Sequence, residues 1–189
     1  LVPLFDCAYQ GFASGDVDAD CYSIRRFVAD GFELVAASSY SKNMGLYCER
    51  AGCVHVVAGT SAAALACLSQ LEVIIRPMYS NPPAHGARIV DTILKDREGV
   101  RGEEGAGLYW KWLDELQAMT GRIDAMRKEL FTELGKQGVP GDWGHVLTQI
   151  GMFSFSGLNV EQSTAMAEEH HIYMPTNGRI NVAGLTTEI

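Results

Sequence analysis

A single lysine within a run of hydroxyl-bearing residues is the part of this sequence best suited to covalent chemistry. The run is Ser38–Gly45, in which Lys42 is preceded by serines and a tyrosine, and Arg50 follows a few residues later. A neutral lysine that is held in place can form an imine with a carbonyl compound. The hydroxyls of Ser39 and Ser41 and the guanidinium of Arg50 are groups that bind phosphate, arginine through two parallel hydrogen bonds. Together these residues predict a site for pyridoxal phosphate.

Pyridoxal phosphate also requires a carboxylate that keeps its ring nitrogen protonated, so that the ring can accept electrons. Asp6 follows the apolar stretch Leu1–Phe5, which is typical of the end of a buried strand. A carboxylate at the carboxyl end of such a strand points into the crevice where open α/β sheets bind ligands. Its desolvation would be costly unless a cation met it, and a pyridinium would do so. Tyr9, three residues further along, would reach the phenolic oxygen of the cofactor.

Composition narrows the class of protein. The chain has 189 residues, of which 47% are hydrophobic, enough for a well-packed domain. Its net charge of −8 argues against nucleic-acid binding, which requires a basic surface. The longest apolar run, 54–68, is interrupted by His55, Thr60 and Ser61, so no membrane span is predicted. The five cysteines form no CxxC pair and no disulfide-like framework, which indicates a reduced, intracellular chain.

The order of elements predicts an α/β fold with a mostly parallel sheet. Apolar runs at 34–37 and 54–57 alternate with turn signals, which indicates βα units, and both runs are expected to be buried strands. Helices are expected over 18–29 and 61–75. From Glu103 to Leu134 apolar residues recur every three or four positions, which predicts a helix too long for the body of a small domain.

The tail predicts a small α+β unit. Gly151–Phe155 alternates like a strand. Asn159 and Gln162 have the spacing of a capping box and should open a helix. Asn177 and Gly178 form a hairpin signal in front of the expected strand at 179–182.

Five segments resemble the aspartate aminotransferase family, which consists of pyridoxal-phosphate enzymes of fold type I. In the order of the family, they are Phe5–Gly15, Ser39–Arg50, Tyr79–Pro83, Gly151–Gly157 and Gly178–Leu185. One SxxK motif would be weak evidence, but five ordered segments are specific. The resemblance implies the C-terminal half of such an enzyme, a piece of a longer protein. Because the family occurs in the cytosol and in organelles, it implies an intracellular protein of the cytoplasm or of an organelle such as the mitochondrion or plastid. It divides the chain into part of the cofactor-binding large domain (1–102), a long interdomain helix (103–135) and a truncated small domain (136–189).

The resemblance also implies a role for each candidate cofactor residue. Lys42 would form the Schiff base with the cofactor and carry the proton between the substrate α-carbon and the cofactor. Asp6 would pair with the ring nitrogen, and Tyr9 would bond the phenolic oxygen. Ser39 and Arg50 would hold the phosphate.

For the substrate, the resemblance implies two arginines. Arg179 would bind the α-carboxylate, with Phe153 lining the pocket beside it. Arg76 would cross the interface of a homodimer to bind the distal carboxylate. A substrate without that carboxylate would leave Arg76 unpaired, at a cost of about 2–5 kcal/mol. The implied reaction is a ping-pong exchange of the amino group between aspartate plus 2-oxoglutarate and oxaloacetate plus glutamate. The expected partners are therefore dicarboxylic amino acids, their 2-oxo acids and a second subunit of a homodimer. Neither a nucleic acid nor a membrane is expected as a partner.

Other interpretations stay open at this point. Taken alone, Lys42 is an ordinary surface lysine, Asp6 a turn residue and Tyr9 a packed aromatic. The run Glu168–His171 predicts no metal site, because adjacent helical residues do not share a face and no second ligand pair completes a site. The alternative functions are an aromatic aminotransferase of the same fold, or a catalytically silent chain that keeps only a dimer or interaction surface.

Overall fold

The protein forms two compact units in a computed structural model that describes residues 1–187. The first unit comprises Leu1–Gly11 and Asp16–Leu116, and the second comprises Phe12–Gly15 and 117–187. The boundary falls inside the long helix, so this helix contributes residues to both units.

A three-stranded sheet forms the base of the first unit. Its strands are β1 (Leu4–Cys7), β2 (Leu34–Ser39) and β3 (Gly52–Val57), in that order. β1 and β2 are parallel, as predicted, whereas β2 and β3 are antiparallel. The reason is the connection 40–51, which contains no helix and therefore returns the chain alongside β2 in the opposite direction.

Of these three strands, only β2 has fully buried residues. Leu34 and Ala36 are almost inaccessible to solvent, but Leu4 in β1 is 71% exposed and Val54 in β3 is 58% exposed. The prediction of buried strands was therefore wrong for β1 and β3. Each is an edge strand with a single neighbour in the described sheet, so its side chains lack cover from a strand on the other side.

Four helices complete the first unit together with the start of a fifth: α1 (Val17–Asp20), α2 (Tyr22–Ala29), α3 (Ser61–Tyr79) and α4 (Ala84–Lys95). The single helix predicted over 18–29 is interrupted at Cys21, whose φ of −86° and ψ of 3° lie outside the helical region. α3 begins at the predicted residue, where the Thr60 side chain caps it, but continues past Ile75 through Pro77. Among the described residues, no helix has the length and apolarity that a bilayer span requires.

The long helix α5 (Leu108–Lys136) begins later than the predicted Glu103. Gly105 lies inside the predicted helix and has a φ of 83°, a left-handed backbone conformation that an α-helix cannot contain. The carboxylate of Asp96 accepts the Leu108 N–H at 3.0 Å, which satisfies one of the donors at the start of the helix.

The second unit contains the rest of α5, a small sheet and two further helices. The elements are α6 (Gly144–Thr148), β4 (Phe153–Phe155), α7 (Val160–His170) and β5 (Arg179–Asn181), followed by a 3₁₀ turn at Val182–Gly184. The predicted capping box of Asn159 and Gln162 is confirmed at the start of α7. The predicted hairpin at Asn177-Gly178 was wrong, because the residues before this turn form no strand and β5 pairs instead with β4, on the far side of α7.

Candidate active site

The candidate cofactor residues of the first unit emerge where two parallel strands end. Asp6 lies opposite Ala37 near the end of β1, and Ser39 is the last residue of β2. The carboxyl ends of parallel strands meet at one edge, which is where open α/β sheets bind ligands. The connection 40–51 starts at this edge and carries Lys42. The sheet therefore places both chain segments that sequence reasoning had linked to the cofactor at a single edge.

Lys42 and Tyr9 are in contact. The lysine Nζ lies 5.0 Å from the centroid of the Tyr9 ring, within the range of a cation–π interaction. In the described part of the chain, Nζ has no hydrogen-bond acceptor and no carboxylate partner. The amine is thus held beside a phenol without being committed to an ion pair, as a residue that must reach a carbonyl ligand requires.

Asn43, the residue after the lysine, anchors the lysine segment. It is buried, and its side-chain amide donates to the Gln10 carbonyl at 3.3 Å. Its own carbonyl accepts the indole N–H of Trp112 at 2.6 Å. Sequence reasoning missed this role, although Asn43 stands inside the run that it singled out. Because both bonds fix the peptide next to Lys42, they restrict where the lysine can reach.

The residues predicted to bind phosphate lie at the end of β2 and along the connection that follows it. The Ser41 N–H donates to Ser39 Oγ at 3.3 Å, and Ser41 is buried. Arg50 is exposed, and its guanidinium donates to the Tyr47 carbonyl at 2.8 Å. The φ of Arg50 is 52°, a left-handed conformation that costs about 1–3 kcal/mol in a residue with a side chain and that clusters at functional sites.

Asp6 differs from its prediction in one respect. It was expected to be a buried carboxylate, but it is exposed, because β1 is an edge strand. Within residues 1–187, its side chain makes no hydrogen bond and no ion pair. An unpaired carboxylate, an unpaired amine, a phenol and a pair of serines at one sheet edge are the donors and acceptors that fit pyridoxal phosphate.

The candidate residues of the second unit are brought together by β4 and β5. Phe155 lies opposite Arg179, and the Arg179 guanidinium carbon lies 4.8 Å from the centroid of the Phe153 ring. Arg179 is exposed and has no carboxylate partner among the described residues. Its fork is therefore free to bind a carboxylate in a bidentate manner.

A buried arginine supports this small sheet. Arg127 of α5 is 3% exposed, and its guanidinium donates to the carbonyls of Val146 at 3.1 Å, Gly151 at 2.6 Å and Phe153 at 2.7 Å. Burial lowers the pKa of Arg127, an effect that the charge of Asp124 partly opposes. Sequence reasoning missed Arg127. The available signal was its position four residues after the buried Ile123, on the apolar side of the helix.

Arg76 lies on α3, whereas the other candidates of the first unit lie on β1, β2 and the segments that follow these strands. It is exposed on α3, and its guanidinium donates to the hydroxyl of Ser80. It lines an open cavity of about 890 Å³ whose other walls, including Glu72 and Pro77, all belong to α3 and the residue that caps it. In the described chain no group of three His, Cys, Asp or Glu side chains is arranged to hold a metal ion.

Comparison with known proteins shows the family. A model of the aminotransferase class I and II family matches residues 1–189, and the chain belongs to this family. It is 53% identical to the cytoplasmic aspartate aminotransferase of Oryza sativa subsp. japonica, over 98% of this chain and 44% of that protein. A mitochondrial aspartate aminotransferase from Trypanosoma brucei has a TM-score of 0.91 and 42% identity over 98% of this chain and 46% of its own. Aromatic-amino-acid aminotransferase from Burkholderia pseudomallei, covalently bound to pyridoxal phosphate, has a TM-score of 0.91 and 40% identity over 99% of this chain and 44% of its own.

These comparisons confirm the predicted family and the α/β fold of type I aminotransferases. The chain spans less than half the length of each of these relatives.

Proposed function

We propose that the protein to which this chain belongs is a pyridoxal-phosphate-dependent aspartate aminotransferase. It would exchange an amino group between aspartate plus 2-oxoglutarate and oxaloacetate plus glutamate by a ping-pong mechanism. The observation that carries the proposal is the convergence of Lys42, Tyr9 and Asp6 on one sheet edge in a chain of the aminotransferase family. We further propose that residues 1–102 belong to the large domain, 103–135 to the interdomain helix and 136–189 to the small domain, in an intracellular homodimer.

The residues at the sheet edge would each hold one part of the cofactor. Bound pyridoxal phosphate supplies an electron sink that stabilises negative charge at the substrate α-carbon. The Asp6 carboxylate, which has no partner among residues 1–187, would keep a proton on the ring nitrogen. The Tyr9 hydroxyl would donate to the phenolic oxygen. Ser39, Ser41 and Arg50 would bind the phosphate, with Arg50 as the bidentate donor.

Lys42 would act as the base that moves the proton at the substrate α-carbon. A general base must reach the proton it removes, and its amine must be available to do so. Both conditions favour a lysine whose segment is anchored through Asn43 while its Nζ has no ion pair in the described chain. The contact with the Tyr9 ring would keep Nζ on the cofactor side of the connection.

Two arginines would select a dicarboxylic substrate. Arg179 would bind the α-carboxylate in a bidentate manner, with the Phe153 ring shielding one face of its guanidinium from water. Arg76 would bind the distal carboxylate of a substrate held by the partner subunit. Substituting Arg76→Asp should shift the preference toward cationic amino acids, and unchanged discrimination would remove this role.

The decisive experiment traps the bond between lysine and cofactor. The full-length protein, loaded with pyridoxal phosphate, is reduced with borohydride, digested and mapped by mass spectrometry. We expect the pyridoxyl label on Lys42. A label on any other lysine would overturn the assignment of the site and with it the proposed function.

A second candidate function is aromatic amino acid transamination. The observation that favours it is the likeness to the Burkholderia pseudomallei aromatic-amino-acid aminotransferase. Steady-state kcat/KM values for aspartate and phenylalanine separate the two candidates, because an enzyme that relies on Arg76 should prefer aspartate.

A further inference from the structure

Arg127 is a buried cation that lacks the usual partner. All three of its hydrogen-bond acceptors are main-chain carbonyls, and in the described chain it has no ion pair with a carboxylate. Its Nε is buried and makes no hydrogen bond within residues 1–187. Burying a charge without a counter-charge is costly. An apolar residue of similar length would avoid that cost, so the guanidinium calls for an explanation beyond packing.

The carbonyls that Arg127 binds share a location. Gly151 and Phe153 bracket the entry to β4, and Val146 lies in α6, which precedes it. A guanidinium is planar and presents its donors in a rigid fork, so the one Arg127 side chain fixes where these three carbonyls lie relative to one another. An ammonium group is a compact point charge on a flexible stem and cannot impose the same geometry.

The same residue whose carbonyl Arg127 binds also contacts the candidate substrate arginine. The Phe153 carbonyl accepts from Arg127, and the Phe153 ring lies 4.8 Å from the guanidinium carbon of Arg179. The pairing of β4 with β5 adds a second connection, because Phe155 lies opposite Arg179. A shift of the Phe153 main chain would therefore move both the ring and the strand that support Arg179.

We propose that Arg127 is a positioning residue for the substrate carboxylate: it sets the orientation of the Arg179 fork by fixing the main chain of Phe153. The proposal rests on the proposed function, in which Arg179 binds the α-carboxylate. It assigns to the buried cation an effect on ligand affinity that acts through Arg179 and not through stability alone.

The test measures the binding of succinate, a dicarboxylate that carries no amino group, to the full-length enzyme loaded with pyridoxal phosphate. Its dissociation constant is read from the change in cofactor absorbance. Arg127→Lys is made alone and together with Arg179→Lys, so that the four proteins form a double-mutant cycle. Lys128→Met is the matched control, because it removes an exposed neighbouring cation of the same helix. Urea unfolding of each variant measures stability separately.

We expect Arg127→Lys to raise the succinate Kd about tenfold, since a misdirected Arg179 fork would lose part of its bidentate contact with the carboxylate. In the Arg179→Lys background the same change should alter the Kd by less than about twofold, because Arg127 acts only through Arg179; independent sites would show the same loss in both backgrounds to within about twofold. Lys128→Met should leave the Kd unchanged. Cofactor content should be the same in all four proteins of the cycle.

Two outcomes would overturn the inference. One is an unchanged Kd in Arg127→Lys, and the other is an equal loss in both backgrounds, which would mean a structural role only. If Arg179→Lys by itself leaves the Kd unchanged, the proposed function fails instead. If Arg127→Lys does not fold, Phe153→Leu replaces it in the same cycle, and an effect below about twofold overturns the link between Phe153 and Arg179.

Discussion

The two groups of candidate residues are supported in different ways. In the first unit, Lys42 and Asp6 project from a connection and from the end of an edge strand, and their charged atoms have no ionic partner among the described residues. In the second unit, Arg179 is backed by the Phe153 ring, and the strand of that ring is fixed by the buried Arg127. In the first group the charged side chains lack ionic partners in the described chain, and hydrogen bonds of Asn43 hold the lysine segment. In the second group Arg179 contacts the Phe153 ring, and Arg127 in turn holds the Phe153 main chain.

This difference matches what each group is proposed to bind. A cofactor brings its own charges, so the residues that meet it must be left without partners in the protein. A carboxylate is recognised by the direction of two parallel hydrogen bonds, so the guanidinium that binds it must be oriented. A lack of partners in the protein therefore suits the sheet edge that carries Asp6 and Lys42, and a fixed orientation suits Arg179 in the sheet of β4 and β5.

The largest effect should come from the first group. Lys42→Ala would remove the proposed base, and kcat/KM for aspartate in the full-length protein should fall by about 10²- to 10⁴-fold, the contribution of general acid–base catalysis. Succinate should still bind, because Arg179 is untouched. Lys128→Ala is the control and should retain full activity. A loss of less than tenfold in Lys42→Ala would contradict the role of this lysine.

The next largest effect should come from disturbing the sheet of β4 and β5 at Gly178, directly before Arg179. Gly178 has a φ of 74°, and a Cβ there would lie 2.6 Å from the Leu158 carbonyl oxygen. Gly178→Ala should lower the free energy of unfolding by about 2–3 kcal/mol. Gly157 has a φ of 85° with open space around it, so Gly157→Ala should cost only the conformational strain, about 1 kcal/mol.

Urea unfolding of the full-length protein measures both changes, and succinate affinity shows whether the sheet has moved. We expect Gly178→Ala to weaken succinate binding while the cofactor absorbance stays normal. Equal stability of the two variants would mean that the close approach at Gly178 carries no cost.

A smaller effect separates local stability from positioning. Asn159 caps α7, its side chain accepting the Gln162 N–H at 2.8 Å. Asn159→Ala should lower the free energy of unfolding by about 1 kcal/mol. It should leave succinate affinity unchanged, because α7 contributes no bond to the Arg127 cluster in the described chain. Asn159→Ser, which can still cap the helix, is the control. A weakened succinate affinity in Asn159→Ala would mean that α7, as well as Arg127, positions Arg179.

The smallest effect concerns the covered face of β1. Asp6 and Cys7 point to opposite faces because they are adjacent in a strand. Burial raises the pKa of the Cys7 thiol above its usual 9.0, and the charges of Cys21 and Asp6 act in the same direction. The thiolate is the reactive form, so alkylation of Cys7 by iodoacetamide should be slower in the folded protein than in urea near pH 9.

The same pKa shift has a consequence for stability. A pKa that is raised by folding favours the folded state below the unfolded pKa, and this contribution declines as the pH rises from about 9 through the folded pKa. Cys7→Ala should remove this part of the decline. Equal alkylation rates in the folded and unfolded protein would show that the Cys7 face is as open as the Asp6 face.

Local patterns account for what could be predicted. The run around Lys42, the periodicity of α5 and the capping box of α7 each depend on residues a few positions apart, and the sequence displays them directly. The start of α5 was placed too early because Gly105, inside the predicted helix, has a positive φ that the sequence does not reveal. The break at Cys21 interrupts an otherwise helical pattern that the sequence reads as one helix.

Contacts between distant residues explain what could not. β5 pairs with β4, and α7 lies between the two strands in the sequence, so Asn177-Gly178 forms a turn that does not join two paired strands. The antiparallel direction of β3 and the exposure of β1 depend on which strands become neighbours. Arg127 binds carbonyls 19 to 26 residues away, and a main-chain carbonyl has no signature in sequence.

The sequence by itself determined the family and the types of residue that would meet a cofactor and a carboxylate, with Lys42 as the candidate nucleophile, because residue identity and short spacing carry that chemistry. Only the tertiary structure decided which of those residues are left without partners and which are braced. That outcome depends on strand neighbours and on buried main-chain acceptors, which exist only once the chain has folded.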